Sequence, residues 1–142
     1  MGTLARSLFV GETVEKLYLL LFDNGMHLLD TELIAEGTVN SVSVSIRRIV
    51  QTALRANAAC AVLTHNHPHG LAIPSHEDTG ITTMVDSAMD MVEVPLLEHI
   101  IVSDHSYAAT MRNLKGTLRA APGSHKIDEE FYRHFYGMDV EA

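Results

Sequence analysis

Cysteine is nearly absent from this chain: Cys60 is the only one among 142 residues. A single thiol cannot close an internal disulfide, so the fold must rest on packing, and the composition suits a reducing, cytoplasmic setting. Cys60 lies inside the apolar run Ala59-Cys60-Ala61-Val62-Leu63, where a small buried core residue is its expected role. No apolar run approaches the ~20 residues of a membrane helix. The first six residues also lack the continuous hydrophobic stretch of a secretory signal. Basic side chains are scarce as well, 10 against 18 acidic ones, for a formal charge of −8. Such a surface repels phosphate backbones, so direct nucleic-acid binding is not expected. Arg47-Arg48 is the only adjacent basic pair and reads as a solvated helix face. No repeat or low-complexity tract is present.

What is present is a hydrophobic content of 46%, ordinary for a globular domain, in a chain long enough for one core. Histidine is abundant, with nine in all. Four of them, His65, His67, His69 and His76, crowd into the stretch T-H-N-H-P-H-G-L-A-I-P-S-H-E-D from Thr64 to Asp78.

Residues 1–14 alternate weakly through Leu8 and Val10, as in an early strand. The run 16–22 is apolar on both faces and reads as a central strand. Asp23-Asn24-Gly25 predicts a tight hairpin turn, because Asn-Gly accepts positive φ. The returning strand then spans 26–36 and ends at Gly37. Ser43 or Ser45 caps a helix over 46–57, with Ile46, Ile49, Val50, Ala53 and Leu54 as its buried stripe. A short buried strand leads into the histidine-rich loop. A second amphipathic helix follows Ser75 to about residue 93, facing inward with Ile81, Met84, Val85, Ala88, Met89 and Val92, and Pro95 stops it. Strands over 96–103 and 107–111 complete an α/β domain with a mixed central sheet, taken as residues 1–116. Residues 117–142 read as an extension, a linker and then a short helix whose Phe131, Tyr132, Phe135 and Tyr136 suit docking or self-association.

Period-two geometry places the imidazoles of His65 and His67 on one side of the strand's carboxyl end. Ser75 and Asp78 have an ordinary reading as the cap and third residue of a helix. The same cap would fix the Asp78 carboxylate near the strand end. Two imidazoles and one carboxylate converging there make a catalytic zinc set with an open position.

The run H65-N-H-P-H-G-x3-P-S75-x2-D78 resembles the JAMM/MPN+ metalloprotease motif, specifically that of its RadC-like branch. The likeness extends through E15-x-L-x-L-L-x-x-D23, G37-T38, A53-L-x-x-N57-A58 and L96-L-E-H99-I-I-V with Tyr107, about residues 12–113. It implies a three-layer α/β/α, cytidine-deaminase-like JAB/MPN fold. It also implies Zn2+ held by His65, His67 and Asp78, with Glu15 as general base and Ser75 as oxyanion stabiliser. The reaction would be hydrolysis of a peptide or isopeptide. Glu12 is the competing base, farther from the strand. His69 stands where the branch carries serine; it is expected to be a spare beside the site, with a reach to the open position or a substrate as the lesser alternative. Glu98 stands where it carries aspartate, and the segment before the first helix reads Ser45-Ile-Arg-Arg. His76 is expected at the surface and His99 as a satisfied structural histidine. The helical, DNA-binding-like region that precedes this domain in full-length relatives is expected to be missing, and the family's link to DNA repair is expected to carry little weight in an acidic chain.

Three other readings compete. A zinc deaminase needs Pro-Cys-x-x-Cys, which a single cysteine cannot supply. A non-catalytic zinc-binding or protein-interaction module would keep the fold without turnover. An accessory in DNA transactions would show salt-dependent DNA binding.

Overall fold

A computed structural model describes residues 8–9, 11–37, 39–40, 42–103 and 107–111. Five strands form one sheet: β1 (Lys16–Phe22), β2 (Leu28–Glu36), β3 (Cys60–Asn66), β4 (Leu96–Val102) and β5 (Tyr107–Ala109). Their order is β2-β1-β3-β4-β5. β3 and β4 run parallel and every other neighbouring pair is antiparallel, so the sheet is mixed and the fold is α/β as expected. The parallel pair is joined by a helix, α2 (His76–Met91), as a crossover of this kind requires.

β3 and β4 are buried along their whole length, which explains why their sequences show apolar runs rather than alternation. One face of the sheet carries Leu17, Leu19, Leu21, Ala61 and Leu63. Against it pack Ile49 and Ala53 of α1 (Ile46–Arg55) and Ile81, Val85 and Met89 of α2. The opposite face carries Leu20, Phe22, Cys60, Val62 and Ile100, covered in part by Leu8 and Phe9. Truncating a core residue such as Leu63 to alanine would cost about 2–5 kcal/mol. The layer on that second side is represented among the described residues by Leu8 and Phe9, which are helical and not the early strand their alternation suggested.

Local departures from the sequence reading have physical reasons. The hairpin turns at Asn24-Gly25 as expected, closed by Met26 N donating to the Asp23 carbonyl at 3.1 Å, but the positive φ falls at Met26 (63°) and the loop runs on to His27. There the Asp23 carboxylate accepts the N–H groups of Gly25 and His27, both at 2.9 Å, and this wider loop delays the return strand to Leu28. Helix α1 is capped by Ser45, whose Oγ accepts from Arg48 N at 3.1 Å. It ends two residues early because Asn57 turns left-handed at φ 52°. Leu54 is 54% exposed and Met84 40%, so the buried stripes of both helices are narrower than periodicity predicted. Arg48 reaches Glu32 of β2 at 2.6 Å on the surface, consistent with a solvated face. The proposed docking helix and the rest of the C-terminal extension lie outside the described residues.

Candidate metal centre

Strand β3 ends in the polar triplet His65-Asn66 followed by His67, after five buried residues that fix its place in the sheet. Side-chain alternation brings the two imidazoles together, with ring centroids 4.9 Å apart and planes at 88°. The antiparallel neighbour supplies Glu15, just before β1, because Leu17 pairs with His65. Its Oε1 lies 3.6 Å from His65 Nε2 and 3.9 Å from His67 Nε2. Glu15, His65 and His67 each offer a ligand atom within 4.8 Å of the others, and together they form a candidate metal-binding group.

Asp78 enters from the first turn of α2. Its Oδ1 is 3.2 Å from His65 Nδ1 and its Oδ2 is 3.1 Å from His67 Nε2. The helix cap holds it: Ser75 N donates to Asp78 Oδ2 at 2.8 Å, and Asp78 N donates to Ser75 Oγ at 3.1 Å. The ordinary capping-box reading is therefore present, and the cap holds the Asp78 carboxylate against both imidazoles. The three residues whose ligand atoms lie within 4.8 Å of one another are Glu15, His65 and His67, and they do not include the expected ligand Asp78. Burial pushes the Asp78 carboxyl up, yet the imidazoles of His65 and His67 and the Ser75 N–H outweigh it and hold the group well below the usual carboxylate range. Asp78 therefore stays an anion.

The two imidazoles differ. His67 Nδ1 lies 2.9 Å from the Leu71 carbonyl, which can only accept, so this nitrogen carries a proton. Its Nε2 bonds Asp78 Oδ2, also an acceptor, which asks for a second proton. The Asp78 contact, against the opposing effect of burial, accordingly raises the His67 pKa. A cation at this spot would take the place of the Nε2 proton. His65 is 1% exposed, and neither ring nitrogen has a hydrogen-bond partner; its Nδ1 is near Asp78 Oδ1 but out of line with it. A buried imidazole with both nitrogens unbonded is costly unless something else engages it. Two imidazoles flanked by two carboxylates are the donor set a divalent transition metal prefers, and the residues present fit one.

Behind the centre lies a second tier. Thr82 Oγ1 donates to the Asp78 carbonyl at 2.7 Å and so must accept from His99 Nδ1, 2.6 Å away. His99 is fully buried and stacks on His65 at 5.9 Å, and burial pushes its pKa down to about 3. The expectation of a satisfied histidine holds only in part, since His99 Nε2 has no hydrogen bond. Glu98, also buried, accepts from His99 N at 2.9 Å and Met111 N at 2.6 Å, a structural use of the residue that departs from the motif. Sequence reasoning missed Thr82, whose signal was its place one helical turn after Asp78.

The other candidates sort plainly. Glu12 is bound to Lys16 Nζ at 2.9 Å, away from the imidazoles. His69 and His76 are exposed, and His69 sits left-handed at φ 59° in the loop. Ser75 Oγ accepts from Asp78 N and so keeps its own O–H to give.

The fold and this cluster define an α/β domain with a candidate metal centre at the carboxyl end of a central strand. The model of the RadC-like JAB domain matches residues 2–116, and the chain belongs to that family. UPF0758 proteins of Vibrio cholerae and of Alteromonas mediterranea are each 41% identical to it over 90 residues, 63% of this chain and 40% of the relative. A UPF0758 protein of Photobacterium profundum matches to the same extent. The chain thus spans about two fifths of the length of these curated relatives. No helix among the described residues is long and apolar enough to cross a membrane.

Proposed function

We propose that the chain is a zinc-dependent hydrolase of amide or isopeptide bonds. The observation that carries this reading is His65: an imidazole 1% exposed, unbonded at both nitrogens, set between the carboxylates of Asp78 and Glu15. His65, His67 and Asp78 would hold the ion, with zinc the natural choice for imidazole and carboxylate donors that leave a position open. When bound, zinc supplies Lewis acidity toward water and toward a carbonyl oxygen.

The protein's own groups do the rest. Asp78 remains an anion under its helix cap and so balances charge. Leu71 orients the His67 ring through Nδ1, which leaves Nε2 to face the centre. Glu15, the more exposed carboxylate at 37%, takes the proton of the attacking water and returns it to the leaving amine. Ser75, whose Oγ accepts from Asp78 N and whose O–H is uncommitted, would donate to the developing oxyanion, a donor typically worth ~3 kcal/mol.

Elemental analysis of protein purified without added metal, repeated on His67→Ala, tests the centre. About one zinc per chain in the parent and none in the variant is the expected result. Turnover of a lysine-isopeptide substrate tests the chemistry; a fully zinc-loaded protein without turnover of peptides or isopeptides would instead indicate a binding module built on the same scaffold.

A further inference from the structure

Between the two histidines stands Asn66, 4% exposed, on the same strand end but facing the neighbouring strand. Its amide makes two bonds: Oδ1 accepts from Lys16 N at 2.6 Å, and Nδ2 donates to the Val14 carbonyl at 3.0 Å. A backbone N–H can only donate and a carbonyl can only accept, so the orientation of the amide is fixed. The two partners flank one residue, Glu15. The regular β1–β3 ladder ends at Leu17 opposite His65, one step short of this point. Where the ladder stops, the Asn66 side chain takes over its role and grips the chain on both sides of Glu15. From the far side, Gly37 N donates to the Glu15 carbonyl at 2.8 Å.

We infer that Asn66 is a positioning residue for Glu15, fixing its backbone so that the carboxylate stays over the paired imidazoles. The inference rests on the reading of Glu15 as the carboxylate that serves the metal centre. A carboxylate on a strand end would otherwise swing with the fraying of the last residues, and placement within about 0.5 Å is what such a group requires. Asn66 touches neither substrate nor metal in this account; it works through Glu15. No shorter side chain spans both partners, and aspartate loses the donor toward Val14.

Amide hydrogen exchange on the metal-free full chain reads the clamp directly. In Asn66→Ala, the Lys16 amide should exchange at least ~10-fold faster while those of Leu19 and Leu21 stay protected. Zinc titration of the parent, Asn66→Ala, Glu15→Gln and the double variant then forms a cycle. Each single variant should bind zinc about 10-fold more weakly, as loss of an outer partner typically does. The double variant should be no weaker than Glu15→Gln alone. Asn66→Asp, close in shape and the safer variant for folding, should keep Lys16 protected because its acceptor remains. An unchanged Lys16 rate in Asn66→Ala overturns the inference. So does a zinc penalty that persists in full in the Glu15→Gln background, or an unprotected Lys16 in Asn66→Asp. A parent that binds no zinc sinks the hydrolase proposal instead, and the exchange rates still decide the clamp.

Discussion

Among the described residues, histidine meets aspartate in two settings. In the β1–β2 hairpin, His27 Nδ1 lies 3.1 Å from Asp23 Oδ2; at the end of β3, His67 Nε2 lies 3.1 Å from Asp78 Oδ2. Distance does not separate them. Solvent does: the hairpin pair is 80% and 40% exposed, the other 15% and 2%. In the hairpin the Asp23 carboxylate spends itself on the turn, accepting from Gly25 N and His27 N, and water screens what remains. At the strand end Asp78 is buried, the buried His99 stacks on His65, and the ring nitrogens of His65 have no hydrogen bond. An imidazole–carboxylate contact thus closes a loop in one place and borders a candidate metal centre in the other, and burial is the difference.

The largest way to widen this contrast is to remove the imidazoles. His67→Ala should abolish zinc binding at micromolar concentrations by calorimetry, whereas His27→Ala should leave it unchanged and shift the melting temperature by no more than about 2 °C. Equal effects from both would erase the comparison. Next comes Glu15→Gln, which should keep zinc bound, weakened by about tenfold at most, while lowering hydrolysis by about 10²–10⁴-fold in a steady-state assay. Retained turnover would remove Glu15 from the mechanism.

The pH dependence follows from His67 and Asp78. His67 has a raised folded pKa, so its bond to Asp78 stabilises the metal-free protein fully below the unfolded value of ~6.5 and is lost as pH rises through the folded value. Asp78, lowered, contributes above ~3.8 and loses its contribution as pH falls toward its own folded value. Zinc must displace the His67 proton, so its affinity should fall as pH drops below ~6, with about one proton released per ion near neutral pH. Calorimetry in buffers of different ionisation enthalpy would count that proton, and zinc occupancy unchanged down to pH ~4.5 would contradict histidine ligation. A smaller effect is expected from Ser75→Ala: about 1 kcal/mol of stability for the lost cap, measured by denaturant unfolding, with hydrolysis reduced about 100-fold. Smallest of all, Cys60 should resist thiol reagents in the native state, since burial pushes its thiol up to about 12.

Much of this was legible in the chain because local rules were obeyed. Ser45 and Ser75 announced the two helices, and continuous apolar runs marked the strands buried on both faces. Spacing alone placed His65 and His67 side by side, and the capping-box pattern set Asp78 three residues after Ser75. The hairpin turned where Asn24-Gly25 predicted, yet Asp23 accepts two N–H groups in a wider loop whose positive φ falls at Met26. Leu54 and Met84 failed because periodicity gives a direction on a helix and not the width of the neighbour that covers it.

By itself the sequence determined that His65 and His67 share one side of a strand end and that Ser75 caps the helix carrying Asp78, since two-residue and three-residue spacings are fixed by strand and helix geometry. Only the tertiary structure decided that Glu15 from one strand meets histidines 50 and more positions later, that Thr82 ties the cap to His99, and that Asn66 grips both sides of Glu15. Such pairings depend on the register of β1 against β3, and register is set by the whole buried face rather than by any short stretch.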